Sequence, residues 1–143
     1  MDYKKTSPLG LGALAAVYLF FLLLSASSYG DPFIFMGRIY SGTTAQAMVI
    51  ADTILSLYLL LGILKRQLLT WWLLLAYNLI DIGNALVNLA LVPAKTIETL
   101  AGTPVPEESL RFNTLAATFA LILLNLFIYR RRRLFVNRSP YLF

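Results

Sequence analysis

The sequence predicts an all-α integral membrane protein: an antiparallel four-helix transmembrane bundle with both termini cytoplasmic. Three observations carry this. Hydrophobic residues make up 59% of the 143-residue chain and charged residues only 13%, about half the share of a soluble domain. Four apolar runs, at about 9–27, 43–64, 68–92 and 110–129, are each long enough at about 1.5 Å per residue to cross a hydrocarbon core roughly 30 Å thick. The basic residues alternate by side. Lys4, Lys5, Lys65, Arg66, the run Arg130 to Arg133, and Arg138 fall on one side, against Arg38, Lys95 and Arg111 on the other. The chain is expected to form a single transmembrane domain, in the cytoplasmic membrane if the source is bacterial.

The elements follow in order. Ser7 is expected to cap a first helix with Pro8 at its opening position, where the missing N–H costs nothing. Ser25-Ala26-Ser27 resembles a small-residue cleavage site, but the run is read as a retained first helix. Gly12 and Ala16 give it a small-residue face, and Tyr18 is its one strongly polar side chain near mid-depth. The first outer connection, about 28–42, holds Tyr29, Phe33, Phe35 and Tyr40, broken by Asp31-Pro32 and Gly37. It is expected to lie in the membrane interface as an aromatic anchor, with a lid over a hydrophobic ligand or partner surface as the sharper alternative.

The second helix carries Gln46, Asp52, Thr53, Ser56 and Tyr58 and ends at Lys65-Arg66-Gln67. So short a turn makes helices two and three antiparallel neighbours. Asp52 and Asp81 are equally far from its centre, which places the two intramembrane acids at one depth. Trp71 and Trp72 are expected to anchor helix three at the cytoplasmic interface, and Pro93 marks its outer end. In the second outer connection, about 93–109, Pro106 followed by Glu107 and Glu108 is a good helix start, the acids favouring the positive end of the helix dipole. Helix four carries Asn113, Thr114, Thr118 and Asn125, with Ala116 and Ala120 as another small pair. Arg130, Arg131, Arg132 and Arg133 then stop translocation and can contact anionic lipid headgroups, and the tail beyond them is too short for a domain.

Helix three organises the rest. Tyr77, Asn78, Asp81, Asn84 and Asn88 fall on one arc about 120° wide, while Ala76, Gly83 and Ala90 repeat every seven residues on roughly the opposite side. That pattern predicts a helix packed on both faces. Asp52, Asp81, Asn78, Asn84, Asn88, Tyr18, Tyr77 and Asn125 form the candidate intramembrane polar site. A mid-membrane carboxylate costs roughly 2.5–3.5 kcal/mol on insertion scales, and no Lys or Arg within the spans can pair with these. Two acids at one depth are not both ionised unless a cation or water lies between them.

The chain has no Cys and no His, which removes thiol nucleophiles, Cys/His zinc sites, His-held haem and imidazole acid–base chemistry. No nucleophile–base constellation, phosphate loop or acidic cluster of metal-binding spacing occurs, so no catalytic residue, metal or cofactor is expected. The net charge of +5 sits at membrane boundaries and does not point to nucleic acid. The leading expectation is a non-catalytic accessory or scaffold subunit that docks a partner membrane protein or a second copy of itself. A proton- or cation-coupled small transporter using Asp52 and Asp81 is the alternative. A polar-lined pocket for a lipid or amphiphile is a second one.

Overall fold

The computed structural model describes residues 8–142, so Lys4, Lys5 and the expected cap Ser7 lie outside the described residues. The elements are α1 (Pro8–Ser27), a hairpin of β1 (Phe33–Phe35) and β2 (Arg38–Tyr40), α2 (Gly42–Leu64), α3 (Leu68–Leu91), α4 (Ala94–Ala101) and α5 (Glu107–Arg130). The helices α1, α2, α3 and α5 are long and apolar enough to cross a membrane. They agree with the expected spans to within a few residues; the largest difference is α5, which starts at Glu107 because both glutamates join its first turn.

Two features depart from the expected loops. The first connection, expected as an aromatic segment without a regular long helix, is an antiparallel hairpin, Phe33 opposite Tyr40 and Phe35 opposite Arg38. Met36 and Gly37 form its two-residue turn, both at positive φ (48° and 80°), the conformation that matches the twist of paired strands. The second connection contains α4, which the sequence reading passed over. Its signals were Ile97 and Leu100 one turn apart, Pro93 ahead and Gly102 behind. Gly102 closes the helix in the left-handed region (φ 69°), its N–H donating to the Glu98 carbonyl.

The long helices pack as two pairs, α1 along α2 and α3 along α5, with α2 and α3 joined by the 65–67 turn. The core lies toward that turn. Leu14, Tyr18, Leu59, Ile63, Trp71, Leu74, Ile128, Leu134 and Phe135 form one buried cluster. We call this the tail end and the other the hairpin end.

The tail end is clasped by the chain's last segment. The Asn137 N–H donates to the Arg66 carbonyl (3.0 Å) and the Leu68 N–H to the Asn137 carbonyl (2.8 Å). Arg66, at φ 54° in a region non-glycine residues avoid, donates from Nε to the Leu134 carbonyl. Leu134 and Phe135 thus belong to the core, and Asn137 to the turn between α2 and α3. Trp71 is a correction as well. It is buried and donates from Nε1 to the Ile128 carbonyl, so it joins α3 to α5, while Trp72 stays exposed.

The small-residue seam of α3 is left open within the chain. Ala76 and Ala90 are exposed, and a Cβ at Gly83 would meet nothing within 4 Å. No helix of this chain covers that face among the described residues. Gly12 and Ala16 of α1, and Ala116 and Ala120 of α5, are exposed too. The glycine that permits close approach is Gly62, where an added Cβ would stand 2.7 Å from the Thr70 Cβ. Gly62→Ala is expected to lower stability by about 1–3 kcal/mol through overpacking. Gly83→Ala should be neutral or slightly stabilising, since it fills open space on a helix. Unfolding midpoints of the two variants in detergent check this, and equal losses would refute the assignment of the close contact to Gly62.

Candidate functional site

The polar residues that the sequence gathers on one arc of α3 do three separate jobs. Asn78, completely buried, works in the core. The Tyr18 hydroxyl donates to its Oδ1 (2.7 Å), and its Nδ2 donates to Asn125 Oδ1 (3.1 Å). Asn125 in turn donates to the Leu75 carbonyl at 3.4 Å. One amide therefore ties α1 and α5 to α3. Buried polar groups left without partners cost about 1–3 kcal/mol each, so the three side chains specify one relative depth for their helices.

Asn84 and Asn88, one turn apart nearer the hairpin end, hold the hairpin. Asn84 Oδ1 accepts from the Met36 N–H (2.8 Å), and Asn88 Oδ1 accepts from the Gly37 N–H (2.7 Å). Asn88 Nδ2 also donates to Asn84 Oδ1 and to the Ile34 carbonyl. The two amides of a tight turn have no partners within the strands, and these side chains supply them. Gly37 sits directly on Leu91, where an added Cβ would come within 2.7 Å of its side chain. Here glycine is needed both for φ and for space.

Tyr77 and the two acids line a cavity. Asp52 on α2 accepts from Ser25 Oγ of α1 (2.6 Å) at one oxygen and from the Tyr77 hydroxyl (2.9 Å) at the other. Asp81 faces the same space and accepts no hydrogen bond among the described residues. The cavity encloses about 770 Å³ between α1, α2, α3 and the hairpin. Phe21, Phe33, Phe35, Met48 and Ile80 make much of its wall, and Asp31, Asp52, Asp81 and Asn84 its polar parts. Leu24, Leu55 and Ile80 border it and are 49%, 40% and 52% exposed, so it opens along an apolar edge.

The expected site residues are thus not one seam. Asp52, Asp81, Tyr77 and Asn84 meet at the cavity, Tyr18, Asn78 and Asn125 meet in the core, and Asn88 joins Asn84 under the hairpin. Ser25 and Asp31 were missed. Ser25 was read as part of a cleavage-like motif, although it lies seven residues beyond Tyr18 and so shares its helix face. Of the terminal arginines, Arg131 lies over the Phe127 ring and Arg132 over Trp71, each 5.2 Å from the ring centre. Compared with family models, curated proteins and solved structures, the chain matches none.

The division of labour has separable consequences. Asn78→Ala leaves the Tyr18 hydroxyl and Asn125 short of partners and should lower global stability by about 1–3 kcal/mol. Asn88→Ala should act locally, raising amide exchange across 33–40 by about tenfold while the unfolding midpoint moves little. Hydrogen-exchange mass spectrometry and thermal unfolding on both variants test this. A local effect from Asn78→Ala or a global one from Asn88→Ala would contradict it.

Proposed function

We propose that this is a multi-pass membrane protein that binds a small amphiphile in the cavity under its hairpin. The four long helices cross the bilayer as an antiparallel bundle. Both termini and the 65–67 turn are cytoplasmic and the hairpin is external, which in a bacterium means the inner membrane. Charge asymmetry supports the orientation: Lys65, Arg66 and Arg130 to Arg133 cluster at the tail end, where the arginines are free to meet anionic headgroups.

The observation that carries the binding reading is the cavity itself. Its volume of about 770 Å³ falls within the range of roughly 300–1,000 Å³ typical of small-molecule sites. Apolar walls around a few polar groups suit a molecule with an apolar body and a polar head. The exposed apolar edge at Leu24, Leu55 and Ile80 offers entry from the bilayer. The filled tail half, with Leu59, Ile63, Trp71 and Leu74 buried, favours holding a ligand over passing one through. One observation favours a second reading, an accessory subunit docking a partner membrane protein or another copy: the small-residue faces of α1, α3 and α5 are all uncovered.

Ala51 lines the cavity, and Ala51→Trp should fill it. In nanodiscs, a fluorescent single-chain amphiphile is expected to bind wild type saturably and Ala51→Trp at least tenfold more weakly, with unfolding midpoints alike. Partitioning that never saturates, or that matches empty nanodiscs, would remove the binding reading. Orientation is checked in the Cys-free chain by labelling Tyr40→Cys and Ser139→Cys with an impermeant maleimide on intact cells. Only the first should react.

A further inference from the structure

We infer that the head of the bound amphiphile is an organic cation, an amine or quaternary ammonium, and that Asp81 takes its charge. This rests on the binding reading above. The cavity is lined by three of the chain's seven acidic residues, Asp31, Asp52 and Asp81, and by no basic residue among the described ones. The imbalance runs against the chain's net charge of +5. Among the described residues the one ion pair is Arg111 with Glu107, away from the cavity. No protein cation therefore answers the three acids.

The two membrane-depth acids are not equivalent. Asp52 has both oxygens engaged, by Ser25 and Tyr77, so its position is fixed by neutral donors from α1 and α3. Asp81 has neither a hydrogen-bond donor nor an ion-pair partner among the described residues, and it faces the space a ligand would fill. A buried charge wants an opposite charge or donor close by, and here the ligand must bring it. An anionic head would stand against three carboxylates. A neutral one would leave them unanswered.

The walls say which kind of cation. No three acidic side chains among the described residues stand close enough to share a metal ion. Phe21, Phe33, Phe35 and Tyr77 instead bring aromatic rings to the same cavity. Ring faces attract ammonium groups, most of all when both are out of water. The apolar edge then accommodates the tail, which makes the ligand a cationic amphiphile that reaches the site from the bilayer.

The test uses full-length protein in zwitterionic nanodiscs and three C12 probes: dodecyltrimethylammonium, dodecyldimethylamine oxide of similar size without net charge, and dodecanoate. Wild type should bind the cation at least tenfold more tightly than the amine oxide, and dodecanoate more weakly still. Asp81→Asn should erase the preference, with an unfolding midpoint close to that of wild type reporting that the variant is folded. Ala51→Trp should weaken all three. Saturable amine-oxide binding with no preference for the cation overturns the present inference and leaves the binding reading standing. No saturable binding of any probe overturns that reading itself. Full preference retained in Asp81→Asn removes Asp81 from its role, and the wild-type probe series decides on the cation even if that variant fails to fold.

Discussion

Everything else in this fold depends on the buried amide of Asn78 finding partners. In a bilayer, lipid tails are as apolar as leucine, so apolar burial gives helices little reason to choose one depth over another. A buried amide does give a reason, because hydrocarbon offers it nothing to bond with. Asn78 takes its bonds from Tyr18 and Asn125, and those bonds fix α1 and α5 against α3. Ser25 lies two turns along α1 on the Tyr18 face, so the same registration brings its hydroxyl to Asp52. The core amide and the cavity floor are set by one choice of depth.

The two ends are then finished by different means, and the difference makes the cavity possible. At the tail end Gly62 lets the backbone of α2 come against Thr70, and Asn137 bonds across the turn. At the hairpin end no glycine brings the helix pairs together. A short hairpin spans the gap instead, held from below by two asparagines. Strands of three residues have almost no ladder of their own, so the hairpin's place depends on those side chains.

The four long helices were legible because apolar length reports directly on what a bilayer crossing requires, and all four lie where the apolar runs put them. The polar arc of α3 was legible as a set of residues but not as functions. Helical angle tells which side chains share a face; it does not tell that Asn84 and Asn88 reach turn amides roughly fifty residues away in sequence. The small-residue seam was ambiguous for a related reason. Small side chains permit close approach without requiring it, and nothing local says whether a neighbour comes. Trp71 and Trp72 show the same limit, since identical adjacent residues point one into the core and one outward. The hairpin carried a readable signal in Met36-Gly37 between aromatic and aliphatic residues, masked by Asp31-Pro32 just before it.

Carboxylates at membrane depth cost roughly 2.5–3.5 kcal/mol each on insertion scales, and Asp81 has no protein partner to offset that among the described residues. Asp52 recovers part of the cost through Ser25 and Tyr77. Water can reach these acids along the cavity's open edge and polar floor. A cation in this cavity would relieve the unbalanced charge of Asp81, beside the Asp52 that Ser25 and Tyr77 already hold. Under the proposed chemistry the hairpin half, the less densely packed part of the fold, gains its missing contacts from the ligand. Binding then adds its affinity for the folded state to the stability of that half.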